Sequence, residues 1–195
     1  MRNSIIDSNL SQEEMLLQNL NMEAPEDVLE QQECEEVTYY GFDGKVHRGQ
    51  IVMNKKAMED VVLFFEQAFL LQFLIKSVIP IADKKYMWND EASCNDNNSS
   101  GYNFRYIAGT TKMSNHARGL AFDINPVLNP YIKYNENAKE LWRAPKHGMY
   151  DPSIPGTLFK EHPLVVLLKS KGWTWGGDWK KEGGPVDYQH FELPL

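Results

Sequence analysis

Residues 120–125, Leu-Ala-Phe-Asp-Ile-Asn, place one carboxylate inside an otherwise apolar, strand-forming run. A charge there must find a partner, because burying it unpaired is strongly unfavourable. With the two-residue period of a strand, Leu120, Phe122 and Ile124 share one face, and Gly119, Ala121 and Asp123 the other. The small residues are expected to leave space beside Asp123. Just upstream, Ser114-Asn115-His116 enters a tight turn ending at Gly119. Two arrangements meet the need of Asp123. It shares a metal ion with His116, or it caps or salt-bridges while His116 fills the turn. This segment alone gives the two equal weight.

A second polar intrusion follows Gly183-Gly184-Pro185, in Asp187-Tyr188-Gln189-His190-Phe191-Glu192. In a regular strand positions 187 and 190 face opposite ways, so both reach one site only if the chain turns between them. The Gly-Gly-Pro entry favours such a turn. Glu192 is expected to point away. His116, Asp123 and His190 together make two imidazoles and one carboxylate. Three protein ligands leave the fourth tetrahedral position open, as in catalytic zinc sites, and these ligand types favour zinc over calcium or magnesium. Asp187 is then a spare carboxylate, suited to act as general base on a water molecule.

The pattern S-x-H-x-x-G-x-A-x-D, followed by W-G-G-D-W (175–179) and D-x-x-H-F-E (187–192), resembles the zinc D-alanyl-D-alanine carboxypeptidases and dipeptidases of the VanY/VanX type. Their fold is shared with the Hedgehog signalling domain, and their chemistry with L-alanyl-D-glutamate endopeptidases. The resemblance runs from about Asn97 to Glu192. It implies zinc on His116, Asp123 and His190, with Asp187 as the base. It also implies an arginine shortly before the first motif, against the substrate carbonyl, and Arg105 occupies that position. The base in the carboxypeptidase and dipeptidase branch is often a Glu ahead of Trp-His. Asp187 ahead of Gln189-His190 looks more like the endopeptidase branch.

Arg105 has a chemical rationale of its own, since a fixed guanidinium would steady the charge that develops on a carbonyl oxygen under attack. Read without the resemblance, it is a surface strand residue. Trp173 and Trp175 are expected in the core, and Trp179 is free to floor a groove. Ser114 is expected to orient a ligand by a hydrogen bond. His47, His147 and His162 have no metal-like company and read as surface or helix-cap residues.

The chain of 195 residues, with 42% apolar and 24% charged residues, can bury a core of its own. Its net charge of −7 argues against a nucleic-acid binder relying on bulk positive charge. Ten of its acids lie in residues 1–36 against one base, a net of −9, which leaves +2 for 37–195. The division expected is an acidic extension, 1–36, with a capping-box helix near Ser11–Leu20, followed by a zinc peptidase domain, 37–195. The extension reads best as a solvated tail or surface helix. Cys34 and Cys94 form neither a disulfide scaffold nor a CxxC site, and their pairing is left open. No run is long and apolar enough to span a bilayer. The N-terminus lacks the apolar core of a secretory signal, so a wall-directed enzyme would work in the periplasm or at the cell surface after loss of a signal, and otherwise in the cytoplasm.

The fold class expected is α+β of Hedgehog/D,D-peptidase type, an antiparallel sheet with flanking helices, as a monomer. A hairpin turns at Asp43-Gly44. A helix over 55–76, capped by Asn54, buries Val61, Phe65, Ala68, Phe69 and Gln72. Ser77–Ala82 holds a short buried strand, and Asn89–Gly101 is a polar loop whose Asn and Ser spacing fails the EF-hand pattern. Strands are expected over 102–108 and 120–125, helices over 137–143 and from His162-Pro163 to Gly172, and two terminal strands around a glycine-rich turn. The function expected is hydrolysis of peptidoglycan stem peptides containing D-amino acids. A non-catalytic zinc module and a plain interaction domain compete with it.

Overall fold

The computed structural model describes residues 4–16, 22–107, 109–179 and 183–194. It is a mixed α+β structure of short helices and small sheets. Strand β1 (Ile5–Ile6) precedes two one-turn helices, α1 (Gln12–Met15) and α2 (Glu26–Leu29). The capping box is present, with the Ser11 side chain accepting from the Glu14 amide and the Glu14 carboxylate accepting from the Ser11 amide. Positions 17–20 of the helix expected there lie outside the described residues. Met15 and Ala24 are buried, and β1 pairs in parallel with the hairpin described next.

Strands β2 (Gln32–Tyr40) and β3 (Val46–Asn54) form that hairpin, which turns at Asp43-Gly44 with Gly44 at φ 74°. His47, expected at the surface or on a helix cap, is instead gripped by two carboxylates. Asp7 lies 2.8 Å from Nδ1 and Asp43 3.0 Å from Nε2, and Asp7 also accepts from the Tyr39 hydroxyl. The first contact ties β1 to β3.

Helix α3 (Lys55–Leu70) starts where the Asn54 side chain accepts from the Lys56 amide. It stops six residues short of its expected end. Gln72 takes φ 52°, and the Phe73 amide returns to the Ala68 carbonyl, which closes the helix and turns Phe73 and Ile75 inward. Gln72 is therefore exposed rather than part of the buried stripe, and Phe69 is half-buried. Strand β4 (Ser77–Val78) pairs in parallel with β5 (Asn98–Ser99). Between them the polar stretch folds into helix α4 (Asp90–Asn95), because the Asn89 side chain accepts from the Ala92 amide at 3.0 Å. Cys34 and Cys94 are both free thiols.

The strand expected over 102–108 reduces to a single bridge between Tyr106 and Met113, and residue 108 lies outside the described residues. Strand β6 (Ala121–Asp123) forms inside the stretch expected, 120–125, and is three residues long. Strands β7 (Tyr131–Tyr134) and β8 (Glu140–Ala144) make a hairpin where a helix was expected over 137–143. The Asn135 carboxamide accepts from the amides of Asn137 and Lys139, and this local turn outcompetes helix formation. Helix α5 (Pro163–Ser170) is capped by His162, whose Nδ1 accepts from the Leu164 amide.

Three strands close the chain: β9 (Thr174–Trp175), β10 (Pro185–Asp187) and β11 (His190–Glu192). Among the described residues, the expected single antiparallel sheet is in fact three three-stranded sheets, β1-β3-β2, β10-β7-β8 and β6-β11-β9, with the parallel pair β4-β5. The cause is segment length, since most strands are of two to five residues and cannot carry a wide ladder. The core lies behind β6 and β11. Phe122 stacks on Phe191 at 5.3 Å between ring centres, and Phe64 and Trp173 meet Phe122 edge-on.

A candidate metal centre

Strands β6 and β11 are antiparallel neighbours, with His190 opposite Asp123, Phe191 opposite Phe122 and Glu192 opposite Ala121. The pleat sends Phe122 and Phe191 into the core and turns Asp123 and His190 together to the other face. His116 comes from a one-turn 3₁₀ helix, His116–Arg118, ended by Gly119 at φ 66°. That turn is a close approach rather than open space. A Cβ on Gly119 would collide with the side-chain oxygen of Gln32 and crowd the backbone nitrogen of Asn54. Ala121, too, is fully buried.

The three side chains meet. His116 Nε2 is 3.1 Å from His190 Nδ1 and 3.3 Å from Asp123 Oδ2, and His190 Nδ1 is 3.1 Å from Asp123 Oδ1. All three residues are buried. The far nitrogens are also engaged. His116 Nδ1 lies 2.9 Å from the Gly101 carbonyl, and His190 Nε2 lies 3.3 Å from Glu192 Oε2. Both of those partners can only accept, so each ring places its proton there and directs a lone pair inward. Two lone pairs and a carboxylate then converge at little over 3 Å, which calls for a shared cation. A tetrahedral ion with bonds of about 2.0–2.1 Å holds its donors roughly 3.3 Å apart, so the donor set fits a metal such as zinc without rearrangement. Where no metal sits, a proton takes that place. Burial alone would favour a neutral imidazole, but the contacts with Asp123 and Glu192 push His190 up to about 10. The Asp123 carboxyl is held far below its usual range by His116 and His190 despite its burial.

Asp187 ends β10, and the turn at Tyr188-Gln189 brings it to the same region as His190. Gly176 packs against the Asp187 backbone and Cβ, with no room for a side chain of its own. Asp187 is buried, and its Oδ1 has no hydrogen-bond partner. Burial, reinforced by Asp123 and opposed by His190, pushes its carboxyl up to about 7. A dication at the His-Asp-His centre would pull it back down. Trp179 lies beside His190, with ring centres 5.6 Å apart, whereas Trp173 and Trp175 are core residues.

Arg105 is joined to the histidine segment through backbone. Asn103 N–H donates to the His116 carbonyl, and Ser114 N–H to that of Arg105, both at 3.1 Å. Its guanidinium is held 3.3 Å from Asp90 Oδ2, and its Nε is buried without a partner. The Ser114 hydroxyl accepts from the His116 amide at 3.2 Å, so it braces the backbone rather than the ring.

Two participants escaped sequence reasoning. Asp90, inside a stretch read as a loop, is the anchor of Arg105. Glu192 was expected to point away, yet it touches His190. The signal for Glu192 was present: residues 190 and 192 of one strand share a face.

His116, Asp123 and His190 form a buried group whose donor atoms lie close enough together to hold a metal ion. Residues 108–193 match the peptidase M15 family model described as D-alanyl-D-alanine carboxypeptidase, so the resemblance carried by the two motifs holds over that segment. The match takes in His116, Asp123, Asp187 and His190, and Arg105 lies just ahead of it. No curated protein and no solved structure gives a significant match. At the level of the family, the match points to a peptidase of peptidoglycan. Among the described residues, no helix is long and apolar enough to cross a membrane.

Proposed function

We propose that this chain is a zinc metallopeptidase of Hedgehog/D,D-peptidase fold that hydrolyses peptidoglycan stem-peptide bonds involving D-amino acids. The bond is of the D-Ala-D-Ala carboxypeptidase or the L-Ala-D-Glu endopeptidase type. Residues 37–195 hold the peptidase domain, and the acidic segment 1–36 packs onto it through β1 and the first residues of β2. The observation that carries this reading is the buried convergence of His116, Asp123 and His190 beside Asp187, whose buried Oδ1 has no hydrogen-bond partner.

Bound between the three donors, zinc would supply Lewis-acid polarisation of the scissile carbonyl and ease deprotonation of the attacking water. The protein's own groups do the rest. Asp187 accepts the proton of that water and returns it to the leaving amine. Its burial strengthens the interaction with any proton donor placed before it. Arg105, braced by Asp90, faces the negative charge that grows on the carbonyl oxygen. Trp179, next to His190, offers an aromatic wall for the peptide. A non-catalytic zinc module would have no use for a buried carboxylate oxygen left without a partner at the centre, and Asp187 therefore favours the enzyme.

The test is Asp187→Asn, nearly isosteric and unable to take a proton. Zinc content should be unchanged, while turnover of muropeptides falls by about 10²–10⁴-fold. Near-normal turnover by the zinc-loaded variant would overturn the catalytic reading and leave a zinc-binding module.

A further inference from the structure

We infer that Glu192 is the positioning residue of the centre: it sets the tautomer and ring orientation of His190, and Asn115 in turn holds Glu192. This inference rests on reading the His-Asp-His cluster as a metal site. His190 uses its two nitrogens in opposite directions. Nδ1 faces Asp123 and His116, each at 3.1 Å, and Nε2 faces Glu192 Oε2 at 3.3 Å. The same Oε2 accepts from Asn115 Nδ2 at 2.5 Å. A second, weaker tether runs from the Thr174 hydroxyl to Oε1 at 3.5 Å. The Glu192 side chain is 28% exposed, so the contact is partly shielded from water.

The two imidazoles are held unequally. A neutral backbone carbonyl, that of Gly101, takes the outer proton of His116, and a carboxylate takes that of His190. An anionic acceptor makes the inner nitrogen a stronger donor than a carbonyl does. Asn115 directly precedes His116, whereas Glu192 lies two residues after His190. The Asn115–Glu192 bond therefore fastens together two ligand-bearing segments that are 74 residues apart at His116 and His190. A metal site whose parts come from distant segments gains affinity when they are held in place before the ion arrives.

The experiment uses the full chain and zinc alone, with affinity read by competition with a chromogenic chelator and the His190 tautomer read by ¹⁵N NMR. The zinc-loaded wild-type chain should show His190 protonated at Nε2. Glu192→Leu should bind zinc about 10–100-fold more weakly. Glu192→Gln keeps an acceptor and should retain the tautomer with a smaller loss of affinity. Asn115→Ala should weaken zinc binding in the same direction. Should Glu192→Leu not fold, the Gln and Asn115→Ala variants and the wild-type tautomer decide. Zinc affinity unchanged in the variants, or a zinc-loaded wild-type His190 protonated at Nδ1, overturns the role of Glu192. If the wild-type chain takes up no zinc, the metal reading falls and this role with it. If the wild type binds, His116→Ala does not, and Glu192→Leu binds unchanged, only the role of Glu192 falls.

Discussion

Asp123 and His190 are opposite partners across the β6–β11 pair, and that register sets a carboxylate oxygen 3.1 Å from an imidazole nitrogen. The next pair along, Phe122 and Phe191, points the other way into the core. Site and core are thus two faces of one short ladder. A one-residue slip would bury the polar pair and expose the aromatic one, so packing of Phe122 and Phe191 defends the geometry of the centre.

About one zinc should bind per chain, and His116→Ala should remove it, as measured by elemental analysis after exhaustive dialysis. Because zinc binds the folded chain, saturation at about 100 times the dissociation constant should add roughly 2.7 kcal/mol of stability. Thermal melts with and without a chelator would read it. Full occupancy in His116→Ala would sink the ligand assignment.

Arg105→Lys keeps a positive charge and loses the planar fork of donors. If Arg105 meets charge that appears only as water attacks, kcat should fall by up to about 100-fold with KM little changed. Steady-state kinetics on stem peptides with L-Ala-D-Glu or D-Ala-D-Ala bonds separates the two parameters. A raised KM with intact kcat would make Arg105 a ground-state anchor for a substrate carboxylate, and so favour a carboxypeptidase over an endopeptidase.

Gly119→Ala should destabilise the chain by more than the about 1–2 kcal/mol that the left-handed region costs a side chain. The added methyl also meets Gln32 and the Asn54 backbone. The strain falls one turn from His116, so zinc affinity should drop too. Urea denaturation and chelator competition report the two effects, and a variant as stable as wild type would refute the packing argument.

His162 caps α5 through an unprotonated Nδ1, and burial holds its pKa below the ordinary value of 6.5. The folded pKa lies below the unfolded one, so this contribution to stability is complete above about 6.5 and is lost as pH falls from there through the folded value. His162→Asn keeps a cap acceptor that does not titrate. Between pH 7.5 and 5 the wild type should lose stability relative to the variant, seen as diverging urea midpoints. Parallel curves would contradict the assignment.

Local signals were legible where one short segment satisfies itself. Asp43-Gly44 turns a hairpin, Asn54 caps α3, and His162-Pro163 opens α5, each through bonds within a few residues. Reading failed where a competing local bond or a distant surface decided. The Asn135 carboxamide turned 137–143 into a hairpin, Asn89 nucleated α4 in a stretch read as loop, and Gln72 left the helix because Phe73 had a core to enter.

The sequence by itself determined the chemistry available to this protein: an imidazole in a tight turn, a carboxylate and a second imidazole in apolar strands, a further carboxylate three residues before that second imidazole, and an arginine ahead of the first. Residue types and short spacings are covalent facts, and they suffice to name candidate ligands. Only the tertiary structure decided that β6 and β11 pair with Asp123 opposite His190, that Asn115 reaches Glu192, and that Asp90 holds Arg105. Those relations join residues far apart along the chain, and they are fixed by strand register and by the burial of Phe122 and Phe191, which no local pattern encodes.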